Sequence, residues 1–449
     1  MNPKQGKLSV SPARRAAFDI LRRVEAEGAY ASILIARLPE SNLSREDRSL
    51  AQEITLGVLR RQRQLDYFIE RYARRAPSRL DLSVLIALRM GLYQLRHLTR
   101  IPQRAAVNES VNLVKLARTA SAAGMVNAVL RNAARRPDES PAEDISDPIE
   151  KLSIQVSHPR WMLERWMNSF GDVETFALAM ADNEPPPTAF RVNTPRATVA
   201  DALAGLQDAS RPSKLVPGAF IIESGAAARL AQAAEHGIIY IQDEASQLVS
   251  LLLDPESGER LLDLCAAPGS KSSHMAALAE EKAWVVACDI HQHRLVTLGA
   301  TCQKLGLRSI DRVALDATLA LPFSESAVRF DRVLIDAPCS GTGTLRRNPE
   351  IKWRLAPGDI ERLADVQLRL LERATDVLRP GGRLVYSTCS IEREENEEVI
   401  RRFIEGGAPY RLLRPAAHPD VITAEGFVRT FPHRHGTDGF FAAVLEKSE

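Results

Sequence analysis

Two cysteines stand where a nucleophile could meet a substrate. Cys339 lies in Asp336-Ala-Pro-Cys339-Ser-Gly-Thr-Gly and Cys389 in Ser387-Thr-Cys389-Ser, each on a turn of small and polar residues directly after a β-rich run. A free thiol of pKa about 8.5 is only partly ionised at neutral pH, so a site that uses one must favour the thiolate. Carbon 5 of a pyrimidine is a poor nucleophile. A thiolate adding to carbon 6 makes an enamine-like intermediate whose carbon 5 can attack a methyl-sulfonium. The adduct must then lose the carbon 5 proton and expel the thiol, which divides one hard step into easier ones. One thiol must attack and a second could help the product leave; spacing alone does not choose between them. Asp336 would oppose a thiolate if its charge were uncompensated, so its better use is to hydrogen-bond a cofactor or polarise the ring at nitrogen 3. Cys288 and Cys302 read as small buried hydrophobes, and Cys265 as a residue lining a cofactor cleft.

A second cluster of residues suits a nucleoside. After one strand comes Asp263-Leu-Cys265-Ala266-Ala267-Pro268-Gly269-Ser270-Lys271, whose small side chains let a ligand approach the backbone. It has neither the GxxxxGK[ST] spacing of a phosphate loop nor the GxGxxG dinucleotide fingerprint. Bulk-free residues without a phosphate cradle fit a nucleoside lacking phosphates. The next strand ends at Asp289, 20 residues past Gly269, where an acid is placed to accept hydrogen bonds from ribose hydroxyls. Asp316 follows a third strand and could hold the base edge of an adenosine. Any one of these acids alone would be a solvated loop residue or a helix cap. Three in register with three successive strand ends point to a cofactor site.

The elements that must position these groups follow from the residue patterns. From residue 240 onward, short β-rich runs (RLLDL, WVVAC, IDRVALD, DRVLID, RLVYST) alternate with helical stretches, and GFVRTF and TDGFFAAVLEK close the chain. Strands separated by helices mean a parallel sheet covered on both faces. The closing pair, with no helix between, predicts an antiparallel hairpin at one edge. This pattern fits the seven-stranded class I (Rossmann-like) variant of the doubly wound fold, with ligands at the carboxyl ends of the strands. Residues 10–136 instead carry apolar residues at helical spacing, as in ARRAAFDILRRVEAEG and LSVLIALRMGLYQLRHL, and predict an all-α domain. RRPDESPAEDISDPIE (135–150) reads as a linker. Trp161, Leu163, Trp166 and Phe170 form a stripe that could stack on bases, although such a stripe is more often core. NEPPPTAFRVNT (183–194) marks a further boundary. The expected domains are therefore 1–138, a small α/β region over 150–239, and 240–449.

Composition limits the class. Apolar and charged fractions are those of a globular protein. No apolar run is long enough to span a bilayer, and MNPKQGKLSV lacks the core of a signal peptide. Five cysteines without CxxC spacing argue against a disulfide framework or a metal site and for a cytoplasmic protein. Residues 1–140 hold 25 Lys/Arg against 13 Asp/Glu, a net of +12, while the remainder carries −10. Nearly all of those cations are arginines, whose forks match phosphate oxygens, so an anionic polymer is the expected partner, with a solvated helical surface as the bland alternative.

Family resemblances sharpen these expectations. IPQRAAVNESVNLVKLAR (101–118) with GMVNAVLRN (124–132) resembles the signature helices of the NusB family, which implies RNA binding; singly, Asn108, Glu109 and Asn127 read as helix caps or bridges. DLCAAPGSK, DAPCSGTG and STCS, in this order, resemble the motifs of RNA 5-methylcytosine methyltransferases, and the NusB-like half narrows this to the bacterial Fmu/Sun family acting on small-subunit (16S) ribosomal RNA. The 183–194 segment is similar to that family's small pre-catalytic region. The resemblance implies that Cys389 is the nucleophile and Cys339 assists release, and that residues 265–271, Asp289, Asp316 and Asp336 contact S-adenosylmethionine. A monomer without metal is expected. Ser270 stands where the family usually has a second glycine, which serine can replace only if that backbone needs no positive φ. Rival readings are a transfer-RNA methylase, which generally lacks the NusB-like half, and a DNA cytosine methylase, whose nucleophile is the Pro-Cys cysteine. An amino-group methylase would carry an Asn/Asp-Pro-Pro-aromatic turn. A non-catalytic RNA-binding factor is opposed by the intact loop and both cysteines.

Overall fold

A computed structural model describes residues 9–38, 43–223, 225–323 and 329–448. The chain forms two compact units: residues up to 185 together with Leu345–Arg354, and residues 186–344 together with 355–449.

In the first unit, helices Pro12–Glu27, Arg45–Arg60, Gln62–Ala73, Gln103–Leu116 and Ala123–Ala134 pack around Leu82–His97. Residues 84–94 of that central helix are all buried, which is why its apolar residues run almost without interruption. Asp81 caps it, accepting from the Ser83 and Val84 amides at 2.8 and 3.4 Å. Gly57 lets the Tyr93 ring approach: a Cβ there would stand 1.9 Å from the ring carbon Cζ. Part of the arginine excess is internal. Arg89 forks onto Asp66 at 2.7 and 2.8 Å, and Arg14 reaches Gln94 at 2.6 Å and Glu109 at 3.0 Å. Glu109 thus bridges helices as expected, and Asn127 accepts from Arg131 at 3.1 Å. Helices Pro148–Val156, Arg160–Phe170 and Asp172–Ala181 complete the run. Trp166 is fully buried, so it serves as core.

Leu345–Arg354 lies far along the chain but belongs to this unit. The Glu350 carboxylate accepts from the Ala31 amide at 2.8 Å, and the Trp353 indole donates to the Leu59 carbonyl at 2.8 Å. The Arg354 guanidinium donates to the carbonyls of Val24, Gly28 and Ala29 at 2.6–2.8 Å. Lys352 is completely buried, and its ammonium donates to the carbonyls of Arg60 (3.0 Å) and Ser157 (2.9 Å) and to Asn183 Oδ1 (3.2 Å).

The second unit holds two sheets. The smaller is antiparallel, ordered β2-β3-β1-β4, from β1 (Thr188–Val192), β2 (Ser210–Pro212), β3 (Ala219–Ile222) and β4 (Ile239–Ile241). Phe190, Leu206, Leu230 and Ile239 form its core with helices Val199–Leu203 and Ala227–Glu235. The larger comprises β5 (Arg260–Asp263), β6 (Trp284–Asp289), β7 (Ile310–Ala314), β8 (Phe330–Asp336), β9 (Leu378–Thr388), β10 (Tyr410–Leu412), β11 (Val428–Thr430) and β12 (Phe440–Lys447). Its order is β10-β12-β9-β8-β5-β6-β7, with β11 paired to the end of β12. β5 to β9 run parallel, and β12 is antiparallel to both β9 and β10. The direction of winding reverses between β5 and β8, so their carboxyl ends open a crevice.

One sequence expectation needs correction. The closing strands do pair antiparallel, Val428 opposite Ala442 and Thr430 opposite Phe440, but a helical turn, Pro432–His435, separates them, and β12 lies inside the sheet because it also pairs with β9 and with β10, the edge strand. β10 spans only Tyr410–Leu412, too few residues to show alternation.

Candidate active site

The crevice beside β5 and β8 is a cleft of about 370 Å³ lined by Cys265, Ala267, Asp289, Asp316, Asp336, Cys339 and Cys389, among others. Seven residues singled out by pattern thus meet at one place. Ala266, Pro268, Gly269, Ser270 and Lys271 are not among its lining and instead build the loop and helix behind it. A larger hollow, bounded by residues 412–426, is lined by no cysteine, histidine or aspartate.

The loop after β5 owes its path to Gly269, whose φ of +103° is left-handed and whose Cβ would stand 2.7 Å from Leu298 Cγ. Ser270 opens helix Ser270–Leu278 with no positive φ, so serine meets the backbone requirement there. Asp263 is buried at the end of β5. Burial pushes its carboxyl up to about 7, against the opposing hydrogen bond from Ser272 Oγ at 2.6 Å.

Asp289 is 4% exposed. Its Oδ1 accepts from the His291 amide at 2.8 Å and its Oδ2 pairs with Arg294 at 3.1 Å, while Arg294 also donates to the Ala267 carbonyl at 2.7 Å. Each carboxylate oxygen has about two lone pairs, so acceptor capacity remains for hydroxyls. Asp316 accepts from the Thr318 amide at 2.9 Å and hydroxyl at 2.6 Å, and these bonds hold its carboxyl below the usual range. Asp336 has a compensating cation: Lys271 Nζ stands 2.6 Å from Oδ2, and Ser387 Oγ donates to Oδ1 at 3.0 Å. The charge that could oppose a nearby thiolate is therefore paired.

The sulfur atoms of Cys339 and Cys389 are 3.2 Å apart. β8 and β9 are hydrogen-bonded neighbours with Asp336 opposite Ser387, so turns leaving both strand ends deliver the thiols to one point. The neighbouring Cys389 thiol, together with burial, raises the Cys339 thiol well above its ordinary value and keeps it protonated. Cys265 is raised chiefly by burial. Cys288 and Cys302 are buried in the apolar core, as their surroundings in sequence suggest.

Sequence reading missed what lies beneath the thiols. Glu395, Ser340, Ser390 and Gln367 form a buried polar network, with Asn396 accepting from Thr388 Oγ1 at 2.5 Å beside it. Glu395 sits in EREENEE, a run that reads as a solvated charged face. Only its place just after Ser-Thr-Cys389-Ser could have drawn attention to it. Among the described residues, no group of three or more His, Cys, Asp or Glu is placed to hold a metal ion, and no helix is long and apolar enough to cross a membrane.

A doubly wound sheet of this order, closed by an antiparallel strand and carrying acids at successive strand ends, defines the methyltransferase class of α/β proteins. Residues 250–446 match the family model "16S rRNA methyltransferase RsmB/F", residues 11–135 the NusB family, and residues 158–229 the ferredoxin-like domain of RsmF/B-like methyltransferases. The chain belongs to the RsmB/F family of RNA methyltransferases. It is 35% identical to the probable ribosomal RNA small subunit methyltransferase B of Bacillus subtilis, over 97% of this chain and 98% of that protein. Its identity to ribosomal RNA small subunit methyltransferase B of Citrobacter koseri is 34%, over 91% of this chain and 92% of that one. The crystal structure of PH0851, 29% identical, matches 98% of this chain and 99% of its own with a TM-score of 0.82. A methyltransferase homolog protein from Pyrococcus horikoshii, 30% identical, matches 68% of this chain and all of its own, with a TM-score of 0.58.

Proposed function

We propose that this protein transfers a methyl group from S-adenosylmethionine to carbon 5 of a cytosine in small-subunit ribosomal RNA, through a covalent bond between Cys389 and the base. The observation that carries the reading is the pair of thiols 3.2 Å apart at the ends of β8 and β9, beside a cleft whose acids suit a nucleoside. The donor set fits the cofactor: Asp289 offers acceptors for ribose hydroxyls, Asp316 for an exocyclic amine, and Cys265 and Ala267 leave room for the rest. S-adenosylmethionine supplies an electrophilic methyl group on its sulfonium.

The chain's own residues account for the remaining chemistry. Cys389 loses its proton to solvent and its thiolate adds to carbon 6, forming a carbon–sulfur bond and moving an electron pair toward carbon 5. Carbon 5 takes the methyl group, and loss of its remaining proton to solvent returns the pair to the ring and expels Cys389 as a thiolate. Cys339, kept protonated, is within reach to hydrogen-bond the departing sulfur, which is how it assists release. Asp336, neutralised by Lys271, is available to the ring at nitrogen 3. The NusB-like domain (1–138) and the small region over 150–239 bind the RNA. Support for the substrate comes from the relatives, which are described as small-subunit ribosomal RNA methyltransferases.

The test is methyl transfer from labelled cofactor onto unmodified small-subunit RNA, with the product mapped. Cys389→Ala abolishes transfer and leaves cofactor affinity nearly unchanged; residual turnover refutes the nucleophile. Cys339→Ala accumulates a denaturation-resistant protein–RNA adduct; an adduct with Cys389→Ala instead reverses the two roles. Methylation of transfer RNA in preference to ribosomal RNA overturns the substrate.

A further inference from the structure

The two thiols sit on separate turns. The β8–β9 ladder ends with the Ala337 amide on the Ser387 carbonyl at 2.8 Å, before either cysteine is reached. Beyond it the turns touch directly: the Gly343 amide donates to the Cys389 carbonyl at 2.9 Å, the Ile391 amide donates to Thr342 Oγ1 at 3.1 Å, and the Ser340 and Ser390 hydroxyls stand 3.0 Å apart. One buried carboxylate also binds the residue that follows each cysteine. Glu395 accepts at Oε1 from the Ser340 amide (2.8 Å) and from Gln367 Nε2 (3.0 Å). At Oε2 it accepts from the Ser340 hydroxyl and from the Ser390 hydroxyl (2.5 Å). Ser340 follows Cys339 and Ser390 follows Cys389, while Gln367 also donates to the carbonyl of Pro338, the residue before Cys339, at 3.0 Å.

Burying a carboxylate is expensive unless donors converge on it. Four donors do so here, and they leave Glu395 little capacity for a substrate. We propose that Glu395 is the positioning residue that fixes the distance between the Cys339 and Cys389 thiols by clasping the serine that follows each. This rests on the reading of those thiols as the catalytic pair. It assigns to a charged residue outside the cleft the register on which both attack and release depend.

The test reads thiol proximity without catalysis. The whole protein, free of RNA and cofactor, is equilibrated with reduced and oxidised glutathione, and the Cys339–Cys389 disulfide is quantified by peptide mass mapping. Two thiols give up two electrons and two protons to one glutathione disulfide, which leaves as two glutathiones. In the wild type this disulfide forms. Because small misplacements remove much of the advantage of proximity, its equilibrium constant falls about tenfold or more in Glu395→Ala and in Ser390→Ala. Glu395→Gln keeps the Oε1 acceptor and lets both hydroxyls turn to accept from the amide, so it stays within about threefold of wild type. The same alanine variants lower kcat for methyl transfer while KM for RNA and cofactor holds. A role in stability alone would lower the melting temperature and leave the disulfide constant of folded protein unchanged, and that result overturns the proposal. Failure of the wild-type pair to form the disulfide also overturns it. Should Glu395→Ala not fold, Ser390→Ala, which loses one hydroxyl, decides alone. If Cys389→Ala retained methyl transfer, the catalytic reading would fail while the disulfide measurement still decided what sets the thiol spacing.

Discussion

Replacing Lys352 with methionine keeps most of the apolar stem and removes three hydrogen-bond donors from the interior of the first unit. The carbonyls of Arg60 and Ser157 and the amide oxygen of Asn183 are then left without that donor, and buried Asp182 loses a nearby cation. A buried acceptor deprived of its donor costs roughly 1–3 kcal/mol, so three cost roughly 3–9. The relieved desolvation of the ammonium offsets the upper part of that range, and the net loss expected is about 3–5 kcal/mol, as for removing one partner of a buried ion pair. With a urea dependence of about 2 kcal/mol per molar, the midpoint falls by roughly 1.5–2.5 M. Tryptophan fluorescence is the assay, because Trp161, Trp166 and Trp353 all lie in this unit and only Trp284 lies in the other. Burial lowers the Lys352 ammonium from 10.5 to about 7. Between those values the unfolded chain binds a proton that the folded one does not, so stability rises with pH across that window, by up to about 1.4 kcal/mol per unit. Lys352→Met loses that slope. A midpoint within about 0.3 M of wild type, or a slope that persists in the variant, refutes the reasoning.

Three further outcomes are expected. Gly269→Ala meets both a left-handed φ and Leu298 at 2.7 Å, so cofactor affinity measured by calorimetry falls at least about tenfold as the loop shifts; unchanged affinity would separate the loop from binding. Asp263 is raised from 3.8 to about 7, so its contribution to stability is present below pH 3.8 and lost as pH rises through 7. Asp263→Asn therefore flattens the fall between pH 4 and 7, seen in denaturant melts across that range, and an unaltered profile would contradict the shift. Trp166→Ala costs about 3–5 kcal/mol in the same melts as a large core truncation; normal stability with weakened RNA binding would instead make this tryptophan a base-stacking residue.

What was legible in the sequence is what is local. The loop after β5, the strand-end acids and both thiols announce themselves because each motif follows its own strand and needs no distant partner for recognition. Glu395 was hidden because a charged run reads as solvent-facing, and its burial comes from contacts with residues 340, 367 and 390. Lys352, in RRNPEIKWRL, was hidden for the same reason: its acceptors lie at residues 60, 157 and 183. Charge counts overstated the free cations of the N-terminal half, since Arg14 and Arg89 are held inside by Glu109 and Asp66. Strands of three residues, such as β4 and β10, carry too little pattern to separate from loop.

The placement of Leu345–Arg354 also bears on the order of events during synthesis. The first 185 residues leave the ribosome long before the segment that completes their unit, which begins about 160 residues later. At roughly 5–20 residues per second that is a wait of about 8–32 s. During it the interior that receives Lys352 has no lysine, and Asp182 has no cation from that source. Translation must pass the Cys339 turn before the N-terminal unit can close, so a nascent chain cut short of that turn never yields a finished N-terminal unit.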